Sequence, residues 1–214
     1  MPLYKIDHQN IKKFCLFVHI PKTGGTSITS FFKLLNFKET YGYDVDFREL
    51  LKETPQHFTY NTLNNLINIS RIDFSFAIMR DPFDKIISSY FWSKKYSNQS
   101  MDIKKKNFEN WFSTYANLYK ENKNVLANHL IPQHEFLGKK LKKIYKFEDG
   151  VNIIFSDVIK SLNLKINDHY YFPHLLKNQK NNKKEIKRIK ESKQISKIIF
   201  DFYKKDYELY EKIF

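Results

Sequence analysis

Residues 19–28 read HIPKTGGTSI. Lys22 follows an apolar run and precedes two adjacent glycines, Gly24 and Gly25. Three hydroxyls, Thr23, Thr26 and Ser27, surround them. Glycines let a backbone approach a ligand closely and adopt dihedrals that other residues avoid. A helix beginning just after them offers unpaired N–H groups and the positive end of its dipole. Lys22 adds a full charge from the strand side. These residue types in this order suit one phosphate or sulfate group. The common phosphate loop, G-x-x-x-x-G-K-[ST], carries its lysine after the glycines; here the lysine comes first. A tight turn with a capped helix is the alternative without a ligand.

A second constellation begins at Arg80, directly after the run IDFSFAIM and ahead of DPFDKIISSYFW. Arginine supplies a planar fork of donors for a second anion. Ser88 lies two turns into the helix expected to follow, on the face of Asp84 and Lys85. Taken alone, Arg80 is better explained by a salt bridge to an acidic neighbour. Among titratable residues, His57 sits in QHFTY and His129 in NHLIPQHEFL. His8, His134, His169 and His174 are scattered, and no spacing argues for a metal site.

The elements that must position these residues follow from hydrophobic periodicity. FCLFVHI (14–20) ends at Pro21, as a buried strand would. Ile28, Phe31, Phe32 and Leu35 fall at i, i+3, i+4 and i+7, so a helix follows, starting near Thr26 or Ser27. Residues 36–60 read as loop with a short helix. IDFSFAIM (72–79) is a second strand; Asp81 then caps, and Pro82 opens, another helix. Phe108, Trp111, Phe112, Tyr115, Leu118 and Tyr119 mark a helix with an aromatic face. KKIYKF (142–147) reads as a strand and Ile154, Val158 and Leu162 as a helix. Residues 165–184 are polar and Asn/Lys-rich, hence loop. Ile195, Ile198, Ile199, Phe202 and Tyr203 mark a final helix. Strands alternating with helices predict an α/β fold with a parallel sheet covered on both faces. Ligands of such sheets bind at the carboxyl ends of the strands. Both constellations lie just after a strand, so neighbouring strands would let one ligand touch both.

The 214 residues fit one domain, 1–214, with no internal repeat or linker. The formal charge of +14, from 37 Lys+Arg against 23 Asp+Glu, suggests an anionic partner: nucleic acid, acidic polysaccharide, membrane surface or phosphorylated cofactor. Lysines that merely solvate the surface are the alternative. The one cysteine, Cys15, sits in an apolar run and allows no disulfide within the chain. MPLYKIDHQNIKKF has no signal-peptide core, and the longest apolar stretch is too short to span a bilayer. A soluble, cytoplasmic protein is expected.

PKTGGTS followed by RDPFDKIISSY resembles the sulfotransferases that use 3′-phosphoadenosine 5′-phosphosulfate (PAPS). HFTY (57–60), NHLIPQHEFL (128–137), IYKFEDG (144–150), FPHLLKN (172–178) and the ending DFYKKDYELY extend the resemblance over nearly the whole chain. They are similar to the carbohydrate branch, such as the heparan-sulfate uronyl 2-O-sulfotransferases and their bacterial relatives. The resemblance implies a P-loop-like three-layer α/β fold with a central parallel sheet flanked by helices. It implies in-line transfer of a sulfuryl group from PAPS to a hydroxyl of a glycan or glycolipid acceptor, with no metal. By it, Lys22 is catalytic and reaches the oxygen bridging phosphorus and sulfur. Thr23, Gly24, Gly25, Thr26 and Ser27 hold the 5′-phosphate, and Arg80 and Ser88 the 3′-phosphate. His57 matches the family's histidine ahead of the second motif and is the candidate base, with Gln56 where a glycine often stands. An ordinary loop histidine is the alternative there. His129 is the other candidate base and Gln133 an acceptor contact; Lys177 and Asn178 lie in a loop able to close over the nucleotide. Glu148 orients a basic group or merely ends a strand.

Two other classes compete. A kinase or other phosphoryl-transfer enzyme would need Mg²⁺ and acidic ligands, and carries its lysine in another register. A nucleic-acid-binding module would suit the charge and the aromatics, but the lysines are spread along the chain and no recognised motif appears. No specific nucleic-acid partner is expected.

Overall fold

The computed structural model describes residues 3–8, 11–40, 50–96, 106–165 and 182–214. The chain gathers into two compact units, Met1–Arg80 with Gln133–Leu176, and Asp81–Pro132 with Lys177–Phe214.

The first unit is built on a five-stranded sheet ordered β3-β1-β2-β4-β5. β1 (Leu3–His8) pairs antiparallel with β2 (Ile11–Val18) and with β3 (Lys38–Thr40). β4 (Phe74–Met79) pairs parallel with β2, Phe17 opposite Phe76, and with β5 (Lys143–Lys146), Met79 opposite Lys146. The sheet is therefore mixed, and parallel only over β2, β4 and β5. β4 is buried along its whole length and β2 over its second half, as expected of central strands covered on both faces, whereas β5, KIYK at the sheet edge, buries only Tyr145. β1 instead alternates, with Tyr4 and Ile6 buried and Lys5 and Asp7 exposed. That is the signature of a strand with one wet face, and a search for continuous apolar runs passes over it.

Helix α1 (Gly25–Leu34) and helix α2 (Tyr60–Leu66) follow β2 and precede β4 in the chain. α1 begins at Gly25 with Gly24 as its N-cap, earlier than the expected start at Thr26 or Ser27. Phe31 and Phe32 of α1, and Ile154, Phe155 and Val158 of a further helix (Val151–Ser161), pack on Cys15, Phe17, Phe76 and Tyr145 from the strands. Burial of this kind contributes about 1.5–3 kcal/mol per large apolar side chain. It also pushes the Cys15 thiol up, so this cysteine is inert packing.

The second unit is helical. Its helix α3 (Pro82–Tyr96) opens as expected, the Asp84 N–H donating to Asp81 Oδ1 at 2.8 Å. Helix α4 (Phe108–Glu121) places Phe108, Trp111, Phe112 and Tyr115 in a core shared with Ile86 and Tyr90 of α3. In chain order the Val151–Ser161 helix is α5; α6 (Lys183–Glu191), α7 (Lys193–Phe202) and α8 (Lys204–Ile213) close the chain. Only α7 was expected of these last three, because charged α6 and α8 carry few apolar positions. Ile189, Ile195, Ile199 and Tyr203 complete the core. Among the described residues, no helix is long and apolar enough to cross a membrane.

Candidate active site

The carboxyl end of β2 leads through His19 and Ile20 into the lysine loop. Lys22 is half-buried, and its backbone is left-handed, with φ 67°. A non-glycine residue there costs on the order of 1–2 kcal/mol, so something must hold it. Arg80, directly after the neighbouring parallel strand β4, does so: its Nη1 donates to the Lys22 carbonyl at 3.1 Å. Burial first, and then the charge of Arg80, lower the Lys22 ammonium to about 8. It remains charged at neutral pH, at a cost that an arriving anion would relieve.

Both glycines are dictated by geometry. Gly24 has φ 87°, and a Cβ on it would lie 2.9 Å from Cε2 of Phe147. A Cβ on Gly25 would fall inside the ring of His19. Gly25 is thus a glycine because of a neighbouring side chain, which reading the motif alone did not show. The first N–H groups of α1 have no partner within the helix. They point out of its N-terminus beside Thr26, which is exposed, and Ser27, which is half-buried. Thr23 differs from the expectation: it is buried, and its hydroxyl donates to the Ile20 carbonyl at 2.9 Å, closing the turn. Its hydroxyl shapes the loop.

Arg80 is fixed on two sides. Its guanidinium carbon stands 4.6 Å from the centre of the Phe147 ring, a cation–π distance. Phe147, just beyond β5, therefore fills the gap between Gly24 and Arg80. The Gln133 side chain, fully buried, accepts from the Arg80 N–H at 3.0 Å and donates to the Arg80 carbonyl at 2.7 Å. Both ends of the Gln133 amide are thus engaged with a main chain 53 residues away, a role beside the expected acceptor contact.

His57 is 3% exposed rather than on an open loop. Its turn, Pro55–His57, ends just before Thr59, which caps α2, and Glu53 binds both the Thr59 N–H and the Thr62 hydroxyl. His57 Nδ1 lies 2.8 Å from the His19 carbonyl. A carbonyl only accepts, so Nδ1 carries the proton and Nε2 the lone pair, the tautomer a general base needs. The His19 and His57 rings meet edge to face at 4.5 Å. Burial, then His57 and Lys22, hold His19 well below the usual histidine range, so its ring is neutral. His57, His19 and Gly25 therefore touch in series. His19 was quoted in the motif but assigned no role.

Of the remaining expected residues, Ser88 and His129 belong to the second unit, Glu148 to the first, and two lie in no described segment. Ser88 is half-buried on α3. Its neighbour Lys85 is fully buried, its ammonium donating to the carbonyls of His129 (2.8 Å) and Ile131 (2.9 Å). His129 is 3% exposed and stacked on Trp92, with ring centres 4.0 Å apart. Glu148 is exposed on the turn after β5. Lys177 and Asn178 lie outside the described residues. Among the described residues, no three His, Cys, Asp or Glu side chains gather as a metal-ligand group.

The model of the sulfotransferase family matches residues 9–212, nearly the whole chain. The chain belongs to the sulfotransferase family, and it is an enzyme that transfers sulfuryl groups. No protein of curated function and no solved structure matches it.

Proposed function

We propose that this sulfotransferase takes its sulfuryl group from 3′-phosphoadenosine 5′-phosphosulfate and passes it to a hydroxyl of a carbohydrate or glycoconjugate. One observation carries the reading. The lysine loop and Arg80, 58 residues apart, are joined by a hydrogen bond at the ends of two adjacent parallel strands. Two cationic groups beside a glycine-capped helix start suit a nucleotide bearing two separate anionic groups, which a single-phosphate site would not require. The donor nucleotide supplies an activated sulfuryl group. The chain's residues divide the remaining work. The N-terminus of α1 receives the 5′-phosphate. The Lys22 ammonium faces the oxygen that becomes negative as its bond to sulfur breaks, where charge stabilises the transition state more than the ground state. His57 Nε2 takes the proton of the acceptor hydroxyl as its oxygen bonds to sulfur. Ser88, eight residues after Arg80, completes the motif read for the 3′-phosphate. The formal charge of +14 favours an acceptor that is itself an anionic glycan. The test is calorimetric binding of 3′-phosphoadenosine 5′-phosphate, followed by transfer of labelled sulfate over a glycan panel. Failure to bind that nucleotide, with loss of activity on chelation, would move the reading to a metal-dependent phosphoryl transferase.

A further inference from the structure

We infer that Gln133 is a positioning residue for the lysine loop: its side-chain amide grips the Arg80 main chain so that the Arg80 guanidinium holds Lys22 in its left-handed turn. The inference rests on the reading of Lys22 as the group facing the departing oxygen. Gln133 Oε1 accepts from the Arg80 N–H and Gln133 Nε2 donates to the Arg80 carbonyl, a pairing that copies one rung of a β-ladder. The amide has a single orientation that satisfies both bonds. Arg80 stands one residue beyond β4, where the strand's own pairing to β5 ends at Met79 opposite Lys146. Gln133 thus continues the strand's hydrogen bonding past its last residue, and a fully buried amide does it with no water to exchange. Phe147 limits the guanidinium from one face. With the peptide and the ring fixed, Nη1 meets the Lys22 carbonyl and holds φ at 67°.

The consequence is measurable on Lys22 itself. Among the described residues, Arg80 and His19 are charged or titratable groups coupled to Lys22, and His19 is neutral. Loosening Arg80 removes its repulsion and opens the loop to water, and both effects raise the Lys22 ammonium. The experiment is the pH dependence of Lys22 acylation, read by peptide mass spectrometry on the whole protein without donor or acceptor. Wild type should be half-reactive near about 8. Gln133→Met, which keeps the shape and loses both bonds, should move this upward by roughly 0.5 pH unit or more. Its turnover should fall at least about tenfold while the acceptor KM stays nearly constant. Gln133→Glu, which keeps one acceptor oxygen, should fall between the two. A folded Gln133→Met with an unchanged Lys22 titration overturns the inference. So does rapid hydrogen exchange at the Arg80 amide of the wild-type protein, a result that needs no variant. Because the acylation uses no nucleotide, a wild-type protein that titrates as expected yet fails to bind the bisphosphate nucleotide would instead refute the donor assignment.

Discussion

In the proposed reaction Lys22 carries an electrostatic task in a place where charge is expensive, and this sets two expectations. Lys22→Ala should lower turnover far more than it weakens binding of the bisphosphate nucleotide, by on the order of a hundredfold or more, as for removal of one preorganised charge contact. A variant with normal turnover and a raised Michaelis constant would make Lys22 a binding residue. The pH profile gives the second. The proposed reaction needs the ammonium, which burial and Arg80 lower to about 8. In the free enzyme kcat/KM should therefore fall as pH rises through about 8, and Lys22→Arg, which stays charged, should abolish that limb. As the proposed base, His57 would account for the other side. His57→Ala should keep nucleotide binding, lose transfer by about a hundredfold to ten-thousandfold, and flatten the acidic limb. His129→Ala is the comparison, since His129 stacks on Trp92 in the second unit. An inactive His129→Ala beside an active His57→Ala would transfer the base role.

At the scale of elements, the loop between β2 and α1 works because two glycines accept neighbours that no other residue would. Gly24 and Gly25 of this loop, set beside Gly150 ahead of α5, separate two costs. Gly150 has φ 96° and open space around it, so Gly150→Ala should cost only backbone strain, about 1–2 kcal/mol. Gly25→Ala meets the His19 ring and should cost about 1–3 kcal/mol by overpacking. It should also lower activity out of proportion, because His19 holds His57 through its carbonyl. Gly24→Ala combines strain with the contact to Phe147 and should be the least stable. Thermal melts of the three variants beside their turnover numbers check that order. The same scale explains what could be read in advance. β2 and β4 were legible because each carries a run of apolar residues, β5 from the Ile144–Tyr145 pair alone, and α3 because Asp81 and Pro82 announce it. β1 escaped because Tyr4 and Ile6 alternate with polar residues. Lys22, the glycines and Arg80 were legible as residue types in a motif. The work of Gln133 and His19 was not, because one end of each bond is a main-chain atom (Arg80's for Gln133, 53 residues away, and His19's own carbonyl for His57, 38 residues away), and a main-chain bond leaves no trace in the sequence.

For the molecule as a whole, the two lowered lysines make stability depend on pH in an unusual direction. Lys22, in the first unit, and Lys85, in the second, are each lowered to about 8, in both cases chiefly by burial. In the unfolded chain a lysine titrates near about 10.4. Between those values the unfolded chain binds more protons than the folded one, so stability rises with pH. Below about 8 both groups are protonated in both states and the rise stops. Above about 10 the buried hydroxyls of Tyr4 and Tyr203, pushed up by desolvation, ionise in the unfolded chain first, and stability falls again. The melting temperature should therefore climb from about pH 8 to about pH 10 and then drop, in salt sufficient to screen the +14 surface. Lys85→Met should remove part of the climb. It should also lower the melting temperature at neutral pH, because the carbonyls of His129 and Ile131 lose a buried donor, about 1–3 kcal/mol each. Nucleotide should act against the same slope. At a hundred times its dissociation constant, 3′-phosphoadenosine 5′-phosphate should add about 2.7 kcal/mol at neutral pH. An anion beside Lys22 favours the ammonium, so the gain should shrink as pH rises through about 8. ATP, lacking a 3′-phosphate for Arg80 and Ser88, should stabilise less. Equal gains from the two nucleotides would count against that role for Arg80, and a nucleotide gain independent of pH would remove Lys22 from the anion site.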